Sequence, residues 1–215
     1  GFQFQSVAAV APFVIADFHI GYAALGTVIG LYLLPGVAVA IPGGVLAQRF
    51  GDKRMVLMAL AAMTLGGLMM ASGDATLLTA GRILSGCGAV VLNVLVTKMT
   101  TDTFEGREVV TALGVLITSW PLGIAMALVT LPRLATAMSW HAAMLAGAGL
   151  SAAAFVLVAA FYRSRQKPAG GTPLRFGLAR RALALAVLAG SVWTFYNMAL
   201  ILVLTFGPAL VIAGG

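Results

Sequence analysis

The 215-residue chain reads as an all-α integral membrane protein, and three observations carry that reading. Hydrophobic residues make up 61% of it and charged residues 9%, with a mean hydropathy of +1.04, whereas soluble domains carry about 25% charge. Apolar runs close to the roughly 20 residues that cross a bilayer follow one another in series. The basic residues gather in every second break between those runs. Backbone groups at membrane depth must be bonded within the protein, which leaves helices or a closed barrel. Continuous apolarity, without strict alternation, selects helices.

Seven runs are expected to be spans: Phe2–Ala16, Tyr22–Ala47, Met55–Gly73, Thr76–Lys98, Val109–Leu131, Trp140–Tyr162 and Ala182–Ile212. The first is short of membrane length, so the chain is expected to begin inside a helix. Small residues recur at packing spacing: Gly26 and Gly30, Gly86 and Gly88, Gly114 and Gly123, Gly147 and Gly149. Such pairs let helices approach closely in lipid, where hydrophobicity no longer drives association. Pro35, Pro42, Pro121 and Pro208 lie within or near the ends of spans and are expected to kink them. Trp140 and Tyr162 bracket the sixth run and read as interfacial anchors.

The formal charge of +7 is a matter of topology. Eleven of the thirteen basic residues are Arg49, Lys53, Arg54, Lys98, Arg107, Arg163, Arg165, Lys167, Arg175, Arg180 and Arg181, all in alternate breaks. The intervening breaks hold Arg133 with Asp17, His19, Asp74 and His141. By the positive-inside rule the basic loops face the cytoplasm, in a bacterial inner membrane. This distribution argues against a nucleic-acid partner. The single cysteine, Cys87, lies inside a run, so no disulfide framework exists.

Residues 163–181, RSRQKPAGGTPLRFGLARR, form the sharpest shift in composition. Pro168, Gly170, Gly171 and Pro173 mark a non-helical linker, and its six basic residues hold it at the cytoplasmic surface. The expected organisation is a six-helix bundle over 1–162, this linker, and the first helix of a second bundle over 182–215.

The break between the second and third runs reads Gly44-Val45-Leu46-Ala47-Gln48-Arg49-Phe50-Gly51-Asp52-Lys53-Arg54. It resembles the G-x-L-A-D-R-x-G-R-[KR] signature between helices 2 and 3 of the major facilitator superfamily. Gly44, Leu46, Ala47, Arg49, Gly51 and the basic Lys53 and Arg54 carry the match. Gly44 permits close helix contact, Gly51 makes the turn, and the cations hold the hairpin at the cytoplasmic face. Gln48 stands where the family has Asp, the carboxylate that helps latch the two halves in the outward-facing state. Gln48 brings no charge, which puts that latch in doubt here.

Gly81-Arg82-Ile83-Leu84-Ser85-Gly86-Cys87-Gly88 resembles the family's fourth-helix motif, R-x-x-x-G-x-G. An arginine at membrane depth costs at least about 2.5–3.5 kcal/mol, so Arg82 is expected to face the bundle interior or a water-filled cavity. It could act there as a counter-charge for an anionic substrate or tune a proton relay; near the outer end it could instead snorkel. The fifth run, Gly114 to Gly123, lies where proton-coupled exchangers of the family carry G-x-x-x-G-P-x-x-G-G, but Ser119-Trp120 replaces the glycine before Pro121. With Gly1-Phe2-Gln3-Phe4-Gln5-Ser6, it is similar in texture to the cyanate-permease and nitrate/nitrite-transporter side of the superfamily.

Other polar groups at membrane depth are Gln3, Gln5, Asn93, Ser119, Trp193, Tyr196 and Asn197. Gln3 and Gln5 are about 200° apart around a helix and do not share a face; Trp193 and Asn197 do. Each is a candidate substrate contact, while Asn and Gln also serve as interhelical glue.

The resemblance implies a secondary transporter working by alternating access, with seven of an expected twelve helices present. The candidate substrate or coupling residues are Arg82, Gln3, Gln5, Asn93, Ser119, Trp193 and Asn197. The candidate gating hairpin comprises Gly44, Gln48, Arg49, Gly51, Asp52, Lys53 and Arg54. A small or organic anion is favoured, because the buried charge is positive and the spans hold no carboxylate. The expected partners are this solute, a proton or sodium as coupling ion, and the bilayer around a monomer. No cofactor or metal site is expected, since His19 and His141 lack ligand-spaced partners. No phosphate-cradling loop or other enzyme signal is present. A seven-helix photoreceptor would need an intramembrane lysine, and Ala182–Ile212 has none. An inert membrane scaffold would tolerate loss of Arg82.

Overall fold

Helix breaks in this chain follow proline and glycine. A computed structural model describes residues 1–162 and 180–214. In it α1 (Phe2–Ala9) stops at Val10 and α2 (Ala11–Phe18) begins with Pro12 at its start. Pro12 has no N–H, and its ring would collide with the Ala8 carbonyl in a continuous helix. α2 ends on His19 in a left-handed conformation, and α3 (Tyr22–Gly30) follows at a bend of 116°. Leu31–Pro35 turns before α4 (Gly36–Phe50), with Pro35 as the residue that cannot continue the earlier helix. Gly51 then reverses the chain at φ 83, a region that favours glycine.

The longer helices are better signed. α5 (Asp52–Met70) carries Asp52 in its first turn. α6 (Ala75–Thr103) starts on Asp74, whose carboxylate accepts the Leu77 N–H at 2.8 Å. α7 (Arg107–Ala137) follows Gly106, and α8 (Trp140–Phe161) is capped by the Ser139 hydroxyl accepting from the Ala142 N–H. α9 (Arg180–Gly214) forms a separate unit.

α5, α6, α7 and α8 are long and apolar enough to cross a membrane. The count is four among the described residues, or five if the bent α2–α3 pair is one span, against seven apolar runs in the sequence. For the first two runs the difference has a physical cause: the first divides at Val10 and the second at Leu31–Pro35. Of α9, the apolar stretch among the described residues is Val187–Val203. The linker expected at 163–181 lies outside the described residues up to 179.

α5 and α6 lie close because glycines line their contact. A Cβ on Gly81 would stand 2.5 Å from the Gly66 carbonyl, and one on Gly88 the same distance from that of Ala59. Gly86 lies against the Tyr32 carbonyl, and Gly123 against the start of α1. Gly30, Gly114 and Gly149 face open space, so only part of the small-residue pattern is used for packing.

Among the described residues the core has two apolar clusters. One gathers Val7, Val14, Leu25, Met70, Leu78, Leu131 and Met144; the other gathers Ala47, Met55, Val56, Leu60 and Leu95 near the Gly51 turn. Along α5, α6 and α8 a polar layer separates the two. Its members are Gln3, Arg82, Ser85 and Ser151, all buried.

Candidate functional site

Arg82 is fully buried in that layer. Its Nε donates to the Val28 carbonyl at 3.3 Å and Nη2 to that of Ile29 at 3.1 Å. Nη1 donates to the carbonyls of Gln3 at 3.3 Å and Phe4 at 3.1 Å. The guanidinium carbon lies 4.6 Å from the centre of the Tyr32 ring.

The break after α3 explains these partners. Tyr32 N–H turns to the Ile29 carbonyl, and Leu33 and Leu34 N–H both reach that of Gly30. The Val28 carbonyl therefore lacks its usual helical donor. A carbonyl left bare at membrane depth costs several kcal/mol, and Arg82 supplies the missing N–H. Carbonyl dipoles and a ring face solvate the charge without cancelling it. Among the described residues no carboxylate pairs with Arg82.

Gln3 joins four helices. Its Nε2 donates to the Met63 carbonyl of α5 at 2.8 Å and to Ser85 Oγ of α6 at 3.4 Å, and its Oε1 accepts from Ser151 Oγ of α8 at 3.4 Å. Gln3 and Arg82 are thus one constellation, tied through the Gln3 carbonyl. Gln5 is buried at 3% exposure, and its Nε2 has no hydrogen-bond partner among the described residues.

Asn93 and Ser119 share no hydrogen bond with this node among the described residues. Asn93 lines a shallow groove of about 390 Å³ on α6 with Val90, Val94 and Thr97. Ser119 lines one of about 510 Å³ on α7 with Thr111, Gly114 and Thr118, and its hydroxyl donates to the Leu116 carbonyl. On α9, Asn197 Nδ2 donates to the Trp193 carbonyl one turn earlier at 2.8 Å. Among the described residues no cluster of His, Cys, Asp and Glu offers a metal site.

In the hairpin, Gln48 and Arg49 are exposed and Gly44 meets no neighbour across its face. Asp52 is the hairpin's acid, and Lys98 Nζ binds both of its carboxylate oxygens at 2.8 Å. Asp102, one turn beyond, adds a contact at 3.5 Å. Lys53 Nζ donates to the Ala159 carbonyl at the end of α8 at 3.0 Å, where a cation complements the helix dipole. Trp140 is 5% exposed, which corrects its reading as an interfacial anchor. Its indole N–H donates to Asp17 at 3.1 Å and its ring stacks on His141.

Sequence reasoning missed Tyr32, Ser151 and Lys98. Lys98 had a local signal, Asp102 at i+4; Tyr32 and Ser151 had none, because their partners come from distant helices.

Long apolar helices around a buried polar layer define an integral membrane protein. The profile of the Major Facilitator Superfamily matches residues 1–214, and the chain belongs to that family. It is 33% identical over 112 residues to an uncharacterized MFS-type transporter, Rv1250, of Mycobacterium tuberculosis, covering 51% of this chain and 19% of that protein. It is 27% identical over 138 residues to a hexuronate transporter of Bacillus subtilis, covering 63% of this chain and 32% of that protein. The chain thus spans a third or less of the length of these relatives.

Proposed function

We propose that this chain is the N-terminal half, with the first helix of the second half, of a secondary active transporter for a small organic anion. The observation that carries this reading is Arg82: a fully buried guanidinium with no carboxylate partner among the described residues. Such a charge raises the affinity of the bundle interior for an anion, because little solvent screens it. The similarity to a hexuronate transporter supports the same class of solute. Cyanate-permease-like and nitrate/nitrite-transporter-like relatives, to which the texture of the sequence points, also handle anions. Gln5 offers a second contact through its unused donor. Asn93, Ser119, Trp193 and Asn197 are further candidates.

In this reading the halves, 1–162 and 182 onward, rock about a central site, joined by the basic segment 163–181. A proton or sodium gradient drives them in a monomer whose basic loops face the cytoplasm of a bacterium. The hairpin from Gly44 to Arg54 gates the movement. No chemical step is required, so the protein is not an enzyme.

A second reading is favoured by the four carbonyls on Arg82: the residue ties the broken second span to α1 and touches no substrate. Uptake of a panel of labelled small organic anions, hexuronate included, into proteoliposomes holding the full-length protein tests the proposal. Accumulation above protein-free vesicles, competed by unlabelled anion, is expected. Transport of neutral solutes alone would overturn the anion assignment.

A further inference from the structure

The basic end of α5 is built in two parts. Lys53 and Lys98 are spent inside the fold, on the Ala159 carbonyl and on Asp52. Arg49 and Arg54, on either side of the Gly51 turn, are exposed, and neither has an acidic or carbonyl partner among the described residues. Below Arg54 runs an exposed apolar stripe, Met58 at 60%, Leu65 at 57% and Leu68 at 48%. At 100° per residue Arg54, Met58, Leu65 and Leu68 stay within about 80° of one another, on one face of α5. Phe50 is exposed at 53% beside the turn.

The dimensions fit one kind of partner. Arg54 to Leu65 spans about 16 Å along the helix, close to half of a hydrocarbon core of about 30 Å. One leaflet's acyl chains therefore match the stripe in length, with the guanidinium at headgroup level. Arginine's planar fork suits a phosphodiester, which it binds by paired N–H donors. We propose that Arg54, with Arg49, is a binding site for the phosphate of an anionic phospholipid whose chains lie along Met58 and Leu65. Nothing in this inference depends on which solute is carried.

The test is native mass spectrometry of the full-length protein in neutral detergent, titrated with dioleoylphosphatidylglycerol and, in parallel, dioleoylphosphatidylcholine. Wild-type protein is expected to retain phosphatidylglycerol preferentially. Arg54→Gln is expected to weaken that binding about fivefold and Arg49→Gln/Arg54→Gln further, with phosphatidylcholine unchanged. Arg54→Lys keeps the charge and is expected to fall between wild type and Arg54→Gln. Helical circular dichroism checks that each variant is folded. Equal retention of the two lipids by wild type, or undiminished phosphatidylglycerol binding by the double variant, would overturn the proposal.

Discussion

Lys98 Nζ lies 2.8 Å from each carboxylate oxygen of Asp52, joining the first residue of α5 to the last two turns of α6. Each charge also complements the dipole of its own helix, acid at the N-terminus and base near the C-terminus. The acid of the hairpin therefore works inside this bundle, while Gln48, at the position the family signature gives to Asp, stays exposed.

Breaking this pair has a modest, salt-sensitive cost. The side chains of Lys98 and Asp52 are 38% and 23% exposed, so solvent screening limits the pair to about 1 kcal/mol. Asp52→Asn or Lys98→Gln is expected to lower the thermal midpoint in detergent by a few degrees at low salt and less at high salt. The swap Asp52→Lys/Lys98→Asp is expected to recover only part of the loss, because both charges then oppose their helix dipoles. A full recovery would show that the dipoles contribute nothing.

Gly86→Ala tests the close approach of α6 to the break after α3. The new methyl would meet the Tyr32 carbonyl, a backbone atom that Arg82 and its carbonyl partners hold nearby. Overpacking of this kind costs about 1–3 kcal/mol. Gly149→Ala, which meets nothing within 4 Å, is expected to be neutral or mildly stabilising. Comparing the thermal unfolding of the two variants isolates the contact.

Gln5→Leu is expected to split stability from activity. The buried Nε2 lacks a partner, and an unsatisfied donor costs about 1–3 kcal/mol, so an apolar isostere is expected to raise the unfolding midpoint. If that donor serves the solute, uptake falls in the same variant. By contrast, Gln3→Leu leaves the Met63 carbonyl, Ser85 and Ser151 without their common partner and is expected to lower stability outright.

The apolar runs from Met55 to Tyr162 translate directly into α5, α6, α7 and α8, because predominant apolarity and helix length are properties of local sequence. The first two runs do not, since apolarity is the same in a broken helix as in a whole one. Pro12 and Pro35, with Gly30 and Gly36 flanking the second break, carried the local sign of those breaks. That Arg82 turns inward follows from the cost of exposing it to lipid. Its partners were hidden because backbone carbonyls freed by a distant helix break leave no mark in the chain. Trp140 was ambiguous for a different reason: an aromatic at a span end suits an interface and a core equally, and Asp17 decides between them.

The most direct measurement is anion uptake by full-length protein carrying Arg82→Lys, Arg82→Gln or Arg82→Ala, each first checked for folding by thermal unfolding in detergent. Lysine keeps the charge but loses the fork that reaches four carbonyls; glutamine keeps some hydrogen bonding and loses the charge. The expected result is partial uptake with lysine and uptake lost by at least tenfold with glutamine and alanine, in protein that still folds. Wild-type uptake by folded Arg82→Ala protein would contradict the assignment of Arg82 to the solute site.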